Sequence, residues 1–415
     1  MIHKFTMYGT NIVVDVNSGS VHVFDDVSYK VLDYYKKFDR EQIADKLSGE
    51  FTKNEVFEAI EEIKGLEEQG QLFTEDIYED FIPSWERTSV VKALCLHVSH
   101  DCNLRCKYCF ASTGDFGIKR SVMSAEVGKK AIDFVLKNSG NRRNIEIDFF
   151  GGEPLMNFDT VKEIVEYAVS KEEEYGKKFR FTITTNGLLL DDDKIKYINE
   201  HMDNIVMSID GRKSVNDRMR IRVDGSGCYD RILPIFKKVA ELRNQDRYYV
   251  RGTFTRENID FASDVLHLAD EGFKQISVEP VVADKDSGLD LREEDLPSIF
   301  NEYEKLAYEY VKRDREKKGF NFFHFMLDLS QGPCVAKRLK GCGSGYEYVA
   351  VTPEGDIYPC HQFVGEEEFK MGSVFDEELS ADIRKKFQNS NVYTKPECKE
   401  CWAKFYCSGG CAANA

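Results

Sequence analysis

Twelve cysteines are spread through the 415-residue chain, and their spacing decides what chemistry is open to them. Cys102, Cys106 and Cys109 stand in HDCNLRCKYCFAS with the spacing C-x3-C-x2-C. Three thiolates on one tight loop suit three irons of a [4Fe–4S] cube and leave the fourth iron without a protein ligand. Such an iron is open to a bidentate small molecule, the amino and carboxylate groups of a methionine moiety. Electron transfer into its sulfonium then breaks a carbon–sulfur bond and gives a primary alkyl radical. A structural zinc site is the competing reading, although zinc fingers usually pair C-x2-C units and close four ligands. Seven more cysteines fall between Cys334 and Cys411, a local density approaching that of a disulfide scaffold or a metal site.

Compartment separates those two uses. The opening MIHKFTMYG has neither an apolar h-region nor a cleavage site, and no run of about 18 apolar residues occurs. The expected location is cytoplasmic, where disulfides are rare and clustered cysteines point to metal or catalysis. With 42% hydrophobic and 31% charged residues the composition is that of a soluble globular protein. Fifty-seven basic against 73 acidic residues give a formal charge of -16, so neither nucleic acid nor a membrane surface is an expected partner.

These cysteines need elements to position them. Residues 90–318 alternate between apolar runs at 90–98, 145–150, 179–185, 205–209, 248–253 and 275–278 and helical stretches at 124–138, 159–174, 192–200, 229–244, 259–272 and 297–318. Six βα repeats mean a parallel sheet with helices outside. Six falls short of a closed barrel, so the expected α/β fold is a partial (β/α)6 TIM-like barrel with function at the strand C-termini. The first cysteine group directly follows the first of these strands. Residues 1–82 read as a separate winged-helix-like unit: a hairpin from 11–15 and 20–24, then helices over 27–38, 41–47 and 52–71, the last opened by the capping box Thr52-Lys53-Asn54-Glu55. Glu55, Glu58, Glu61, Glu62, Glu67 and Glu68 make its third helix acidic, which disfavours DNA and favours an extended peptide pairing with an exposed strand edge. A packing appendage that binds nothing is the plain alternative. Over 319–415 the alternation stops, too few apolar residues remain in any register for a core, and metal is expected to hold the segment together.

The cysteine loop after the first strand of a six-fold βα repeat resembles the radical S-adenosylmethionine (SAM) superfamily. Phe150-Gly151-Gly152-Glu153-Pro154, closing the second strand, is similar to that family's GGE motif. The resemblance implies that the backbone at Gly151 and Gly152 and the Glu153 carboxylate receive the SAM ammonium. Thr185-Asn186-Gly187 and Ser208-Ile209-Asp210-Gly211 are similar to segments that line the SAM pocket. By the same resemblance Asn186 lines that pocket, Ser208 and Asp210 contact the ribose hydroxyls, Arg220 pairs with the SAM carboxylate, and Tyr108 presents its backbone to adenine. Taken singly, Ser208, Asp210 and Arg220 also suit capping or surface roles. Cys95 and Cys228 read as buried structural thiols, and His100 and His361 as packing or solvated histidines.

Farther on, Cys342, Gly355 and Cys360, followed by Cys398-x2-Cys401-x5-Cys407-x3-Cys411, resemble the Cys-rich SPASM extension of radical SAM enzymes, which carries two auxiliary [4Fe–4S] clusters. The resemblance assigns Cys342, Cys360 and Cys411 to the first, with Cys334 available as fourth ligand, and Cys398, Cys401 and Cys407 to the second. A further motif cysteine has no counterpart, so either a substituted ligand completes that cluster or the chain is a shortened form. With the SAM-binding cluster this makes three [4Fe–4S] clusters.

The N-terminal unit is similar to the RiPP recognition element, which binds a precursor peptide's leader as an added strand. HKFTMYGTNIVVDVNSGSVHVFDD, HDCNLRCKYCFA and GPCVAKRLKGCGSGYEYVAVTPEGDIYPCHQFVG look like the maturases of SCIFF peptides, small cysteine-rich ribosomal precursors, placing the chain beside sactipeptide and ranthipeptide enzymes. That implies an enzyme served by an external flavodoxin- or ferredoxin-type electron donor, in which a 5′-deoxyadenosyl radical takes hydrogen from an acceptor residue and a substrate cysteine sulfur joins that carbon as a thioether. Carbon–carbon crosslinking, epimerisation, sulfatase-type maturation, and a non-enzymatic zinc-stabilised peptide-binding protein are the alternatives.

Overall fold

The computed structural model describes residues 1–82, 90–285, 287–327, 329, 335–376 and 378–413. At the N-terminus β1 (Ile2–Met7), β2 (Thr10–Asp15) and β3 (Ser20–Phe24) form an antiparallel sheet in that order, with Ile2 opposite Asp15 and Asn11 opposite Phe24. The expected hairpin is β2–β3; β1 escapes a sequence reading because His3 and Lys4 break its apolar alternation. Buried Asp15 locks the hairpin turn, accepting from the Ser18 N–H at 2.9 Å and the Thr74 N–H at 3.1 Å. Helices α1 (Asp26–Val31), α2 (Arg40–Leu47) and α3 (Lys53–Glu68) enclose a core of Val13, Val31, Ile43, Leu47, Val56 and Ile63. The capping box of Thr52 and Glu55 forms as expected. By contrast, α1 stops at Val31 instead of running to residue 38, and Tyr35 stacks on Phe73 with ring centroids 5.5 Å apart.

The six expected parallel strands are β4 (Ala93–Ser99), β5 (Asn144–Gly151), β6 (Lys178–Thr185), β7 (Asn204–Ser208), β8 (Tyr248–Phe254) and β9 (Gln275–Pro280), hydrogen-bonded in chain order. Helices α4 (Ala125–Asn138), α5 (Phe158–Tyr175), α6 (Asp192–His201), α7 (Lys213–Met219), α8 (Tyr229–Leu242), α9 (Phe261–Asp270) and α10 (Leu296–Arg315) return the chain between strands. Alternate residues such as Ile145, Ile147, Phe149, Phe181, Ile183, Val250 and Phe254 belong to the core shared with these helices. Their neighbours Phe150, Thr184, Ser208, Arg251, Thr253 and Glu279 line a cleft instead. A polar inner face cannot fill itself as a closed barrel does, so the open barrel keeps a cavity.

The segment after residue 319 corrects the expectation of no core. β10 (Asn321–Phe322) pairs parallel with β9, and β11 (Tyr348–Val351) pairs parallel with β4 at the opposite edge. β12 (Asp356–Tyr358) and β13 (Gly372–Ser373) follow antiparallel, completing a ten-stranded sheet. Val349, Ala350, Val351 and Ile357 are fully buried. Covering β4's edge satisfies a row of backbone groups, and strands of two to four residues leave no period to detect beforehand.

Short helices α11 (Val335–Lys340), α12 (Ala381–Asn389), α13 (Pro396–Lys399) and α14 (Lys404–Cys407) complete this part. It seats the N-terminal unit through an apolar cluster of Val16, Leu339, Val392 and Phe405. Around that cluster Asp76 accepts from the Tyr393 hydroxyl at 2.6 Å and Lys404 Nζ at 3.0 Å, and the His3 ring stacks on Trp402 with centroids 4.2 Å apart. Among the described residues no helix is long and apolar enough to cross a membrane.

Candidate active site

The loop leaving β4 carries Cys102, Cys106 and Cys109 onto the wall of a cleft at the strand C-termini that opens to solvent. Burial pushes the Cys102 thiol up to about 12, aided by the neighbouring Glu153 and Cys109 and opposed by the Leu104 N–H. Burial likewise drives Cys106 upward, with Cys102 and Cys109 adding to it. Cys102 and Cys106, which resist ionisation on their own, become stable as thiolates beside cationic metal. Leu104 N–H reaches Cys102 Sγ at 3.4 Å and Asn186 Nδ2 reaches it at 3.7 Å, so the sulfur already has the N–H donors that a cluster thiolate uses. The donor set fits a [4Fe–4S] cluster.

Glycine identity in this region follows from contact between the loop and the β5 turn. A Cβ on Gly151, whose φ is +123°, would lie 2.2 Å from the Ser99 carbonyl oxygen; one on Gly152 would lie 2.2 Å from that of Asp101. Both contacts are backbone to backbone and cannot yield cheaply. Next to them Glu153 is buried, accepting from the Asn186 N–H at 2.8 Å, the Thr185 hydroxyl at 2.8 Å and the Leu155 N–H at 3.0 Å. Burial outweighs these donors and lifts the carboxyl to about 7.

Ser208, Asn186, Tyr108 and Arg220 all line the cleft, as a ligand site built from them requires. Asp210 does not. Its fully buried carboxylate accepts from the Tyr108 hydroxyl at 2.8 Å, Arg220 Nε at 3.1 Å and the Thr253 N–H at 3.1 Å. In this structure Asp210 therefore orients Tyr108 and Arg220, while the side chain of Tyr108 points to that network.

Among the later cysteines, Cys360 follows β12 and is buried, which with the adjacent Cys342 and Cys411 pushes its thiol up to about 12. Cys398 neighbours Cys407 and Cys401 and is raised mainly by burial. Cys342 and Cys411 thus lie near Cys360, and Cys401 and Cys407 near Cys398, but among the described residues no three cysteine, histidine or acidic side chains close into a metal-holding group; Cys334 lies outside the described residues. Cys95 is buried and shares a hydrogen bond with the Tyr348 hydroxyl, and Cys228 Sγ accepts from Asn216 Nδ2 at 3.3 Å. His100 is buried, its Nε2 lying 3.0 Å from His97 Nδ1. His361 packs as expected, its ring 5.1 Å from Phe150 and 5.5 Å from Phe110, and does so on the lining of the cleft. Sequence reading also missed Arg251, Thr253 and Glu279 on the opposite wall. Their one signal is position: each is polar and stands near the C-terminus of a barrel strand.

Comparison with known proteins agrees with this geometry. Residues 96–265 match the radical SAM superfamily, and residues 342–402 match the SPASM iron–sulfur cluster-binding domain. A cysteine-type anaerobic sulfatase-maturating enzyme of Clostridium novyi is 25% identical over 332 residues, covering 76% of this chain and 86% of that protein. The radical SAM cyclopropyl synthase TigE of Paramaledivibacter caminithermalis is 25% identical over 423 residues, covering 95% of this chain and 84% of TigE. Among solved structures, Streptococcus suis SuiB bound to its precursor peptide SuiA superposes with a TM-score of 0.54 at 17% identity, covering 100% of this chain and 94% of SuiB, a likeness of fold. A cysteine loop on a partial barrel, the later cysteines and these matched segments lead to one conclusion: the chain carries a radical SAM domain over residues 96–265 and a SPASM iron–sulfur cluster-binding domain over residues 342–402.

Proposed function

We propose that this radical SAM/SPASM enzyme modifies a cysteine-rich ribosomal precursor peptide, joining cysteine sulfurs to carbons of acceptor residues as thioethers. The observation that carries a peptide substrate is the N-terminal unit. Likeness to TigE and SuiB extends through it, whereas the sulfatase-maturating relative matches 76% of the chain. Among the described residues of that sheet β3 pairs only with β2, leaving an edge on which a leader peptide adds as a strand.

In this reading Cys102, Cys106 and Cys109 hold the SAM-binding cluster, Cys342, Cys360 and Cys411 the first auxiliary cluster, and Cys398, Cys401 and Cys407 the second. When bound, these clusters supply the electron that splits SAM into methionine and a 5′-deoxyadenosyl radical and accept the electron released as sulfur and carbon join. The chain's own residues bind and orient. Glu153 receives the SAM ammonium beside the backbone of Gly151 and Gly152, Arg220, held by Asp210, receives the carboxylate, and Ser208 and Asn186 border the remainder. Electrons arrive from a flavodoxin- or ferredoxin-type donor in the cytoplasm. Each crosslink removes one hydrogen atom from carbon and one proton from sulfur.

Anaerobically reconstituted protein, SAM, reductant and a leader-bearing cysteine-rich peptide are expected to give a product lighter by two hydrogens per crosslink. Deoxyadenosine formed with the peptide mass unchanged would contradict this. TigE, named for cyclopropyl synthesis and matched over 95% of the chain, favours carbon–carbon bond formation as the second reading; it shares the mass change but spares the thiols.

A further inference from the structure

Opposite the cysteine loop, the cleft wall is made by β8 and β9, which contribute Arg251, Thr253 and Glu279. Three elements converge on the Glu279 carboxylate. Oε1 accepts from the Ser277 hydroxyl on the same strand at 2.5 Å, Oε2 lies 2.8 Å from His324 Nε2 just past β10, and His324 Nδ1 lies 2.8 Å from the Tyr303 hydroxyl on α10. Glu279, His324 and Tyr303 are thus linked side chain to side chain in one chain of hydrogen bonds. A carboxylate offers about four acceptor sites. Ser277 and His324 occupy two, and the others remain for whatever enters the cleft.

The same partners decide what Glu279 can do. Burial alone would raise its carboxyl, but the His324 hydrogen bond and charge, then Ser277 and Arg251, pull it down to about 2. An acid that strong is a poor acceptor for a thiol proton, whose ordinary pKa is about 8.5. Glu279 is built to hold a donor in place and not to take its proton. One strand over, Arg251 contributes to the electrostatics of Glu279 and of His361. Among the described residues its guanidinium has no hydrogen-bond or ion-pair partner.

The wall thus presents an immobilised acceptor beside an uncommitted planar donor. An extended peptide displays the complementary pair, an N–H and a C=O. We propose that Glu279 and Arg251 form the seat for the backbone of the substrate segment being modified: Glu279 accepts a peptide N–H, Arg251 donates to a carbonyl of the same segment, and Ser277, His324 and Tyr303 act as positioning residues behind Glu279. This rests on the reading that the substrate is a peptide. The seat holds the acceptor residue across the cleft from the cysteine loop, and its loss lets the radical form without capturing that residue.

The test uses the full-length, cluster-loaded protein and the leader-bearing precursor peptide. Glu279→Gln and Arg251→Gln are expected to raise the ratio of deoxyadenosine formed to crosslink formed at least tenfold, the range of one hydrogen bond to a charged group. Cluster absorbance, SAM affinity and the affinity for a leader-only peptide stay at wild-type values, which a merely structural role would not allow. His324→Gln gives a smaller shift in the same direction. A peptide N-methylated at the N–H that Glu279 accepts shows the same loss with wild-type enzyme and no further loss with Glu279→Gln. An unchanged ratio in Glu279→Gln, or additive losses at every N-methylated position, would overturn the seat while leaving the peptide reading intact. Absence of any crosslink with wild-type protein would remove the peptide reading and the seat together.

Discussion

Glu153 is the residue whose chemistry most directly exposes the ligand site to measurement. Its carboxyl is held near 7 chiefly by burial, so in the empty site it is largely protonated at pH 6 and largely ionised at pH 7.5. Accepting N–H bonds from a ligand amino group favours the ionised form, so SAM affinity is expected to rise roughly eightfold between those pH values. Equilibrium binding to cluster-loaded protein checks this, and Glu153→Gln should bind weakly with a flat profile. Gly152→Ala is expected to push the cysteine loop away, since its Cβ would meet the Asp101 carbonyl oxygen. The iron held by the Cys102, Cys106 and Cys109 loop should then be lost while iron bound by the C-terminal cysteines persists. At this scale the ligands were legible because cysteine spacing is a local property. Glu279 was not, because Ser277-Val278-Glu279 resembles any strand end until His324, 45 residues later, folds back onto it.

At the scale of elements, the βα alternation was readable because each strand is long and apolar and each helix amphipathic. β1 was not, because His3 and Lys4 break its alternation; β10 and β11 were not, since they exist as strands only through partners far away in the chain, and β12 and β13 are too short to show a period. Pairing of β11 with β4 joins the strand that carries the SAM-site cysteines to the segment that leads to Cys360. The N-terminal unit is tied to the C-terminal cysteine-rich segment by Asp76, whose carboxyl burial would raise but the Tyr393 and Lys404 contacts hold below its ordinary value. Asp76→Ala leaves the Lys404 ammonium, itself 5% exposed, without its carboxylate. We expect a loss of about 1–3 kcal/mol in denaturant unfolding, with Asp76→Asn/Lys404→Met recovering most of it. Because the folded carboxyl is depressed, the contribution of this pair is present above the ordinary carboxylate range near pH 4 and is lost as pH falls below it.

Across the whole molecule, the N-terminal unit lies against the C-terminal cysteine segment, which in turn extends the barrel sheet, so a peptide held at the outer unit belongs to the same body as the cleft. A charge of -16 argues against an electrostatic grip on nucleic acid. The twelve cysteines divide into two buried structural thiols, three on the barrel loop and six in the C-terminal segment, with Cys334 outside the described residues. The most direct test of thioether formation is to count alkylatable thiols on the reacted peptide after its mass has been measured. One thiol should disappear for each two hydrogens lost, with the sulfur located on an acceptor residue by fragmentation. Loss of two hydrogens with every thiol still alkylatable would contradict thioether formation and assign the enzyme to carbon–carbon chemistry.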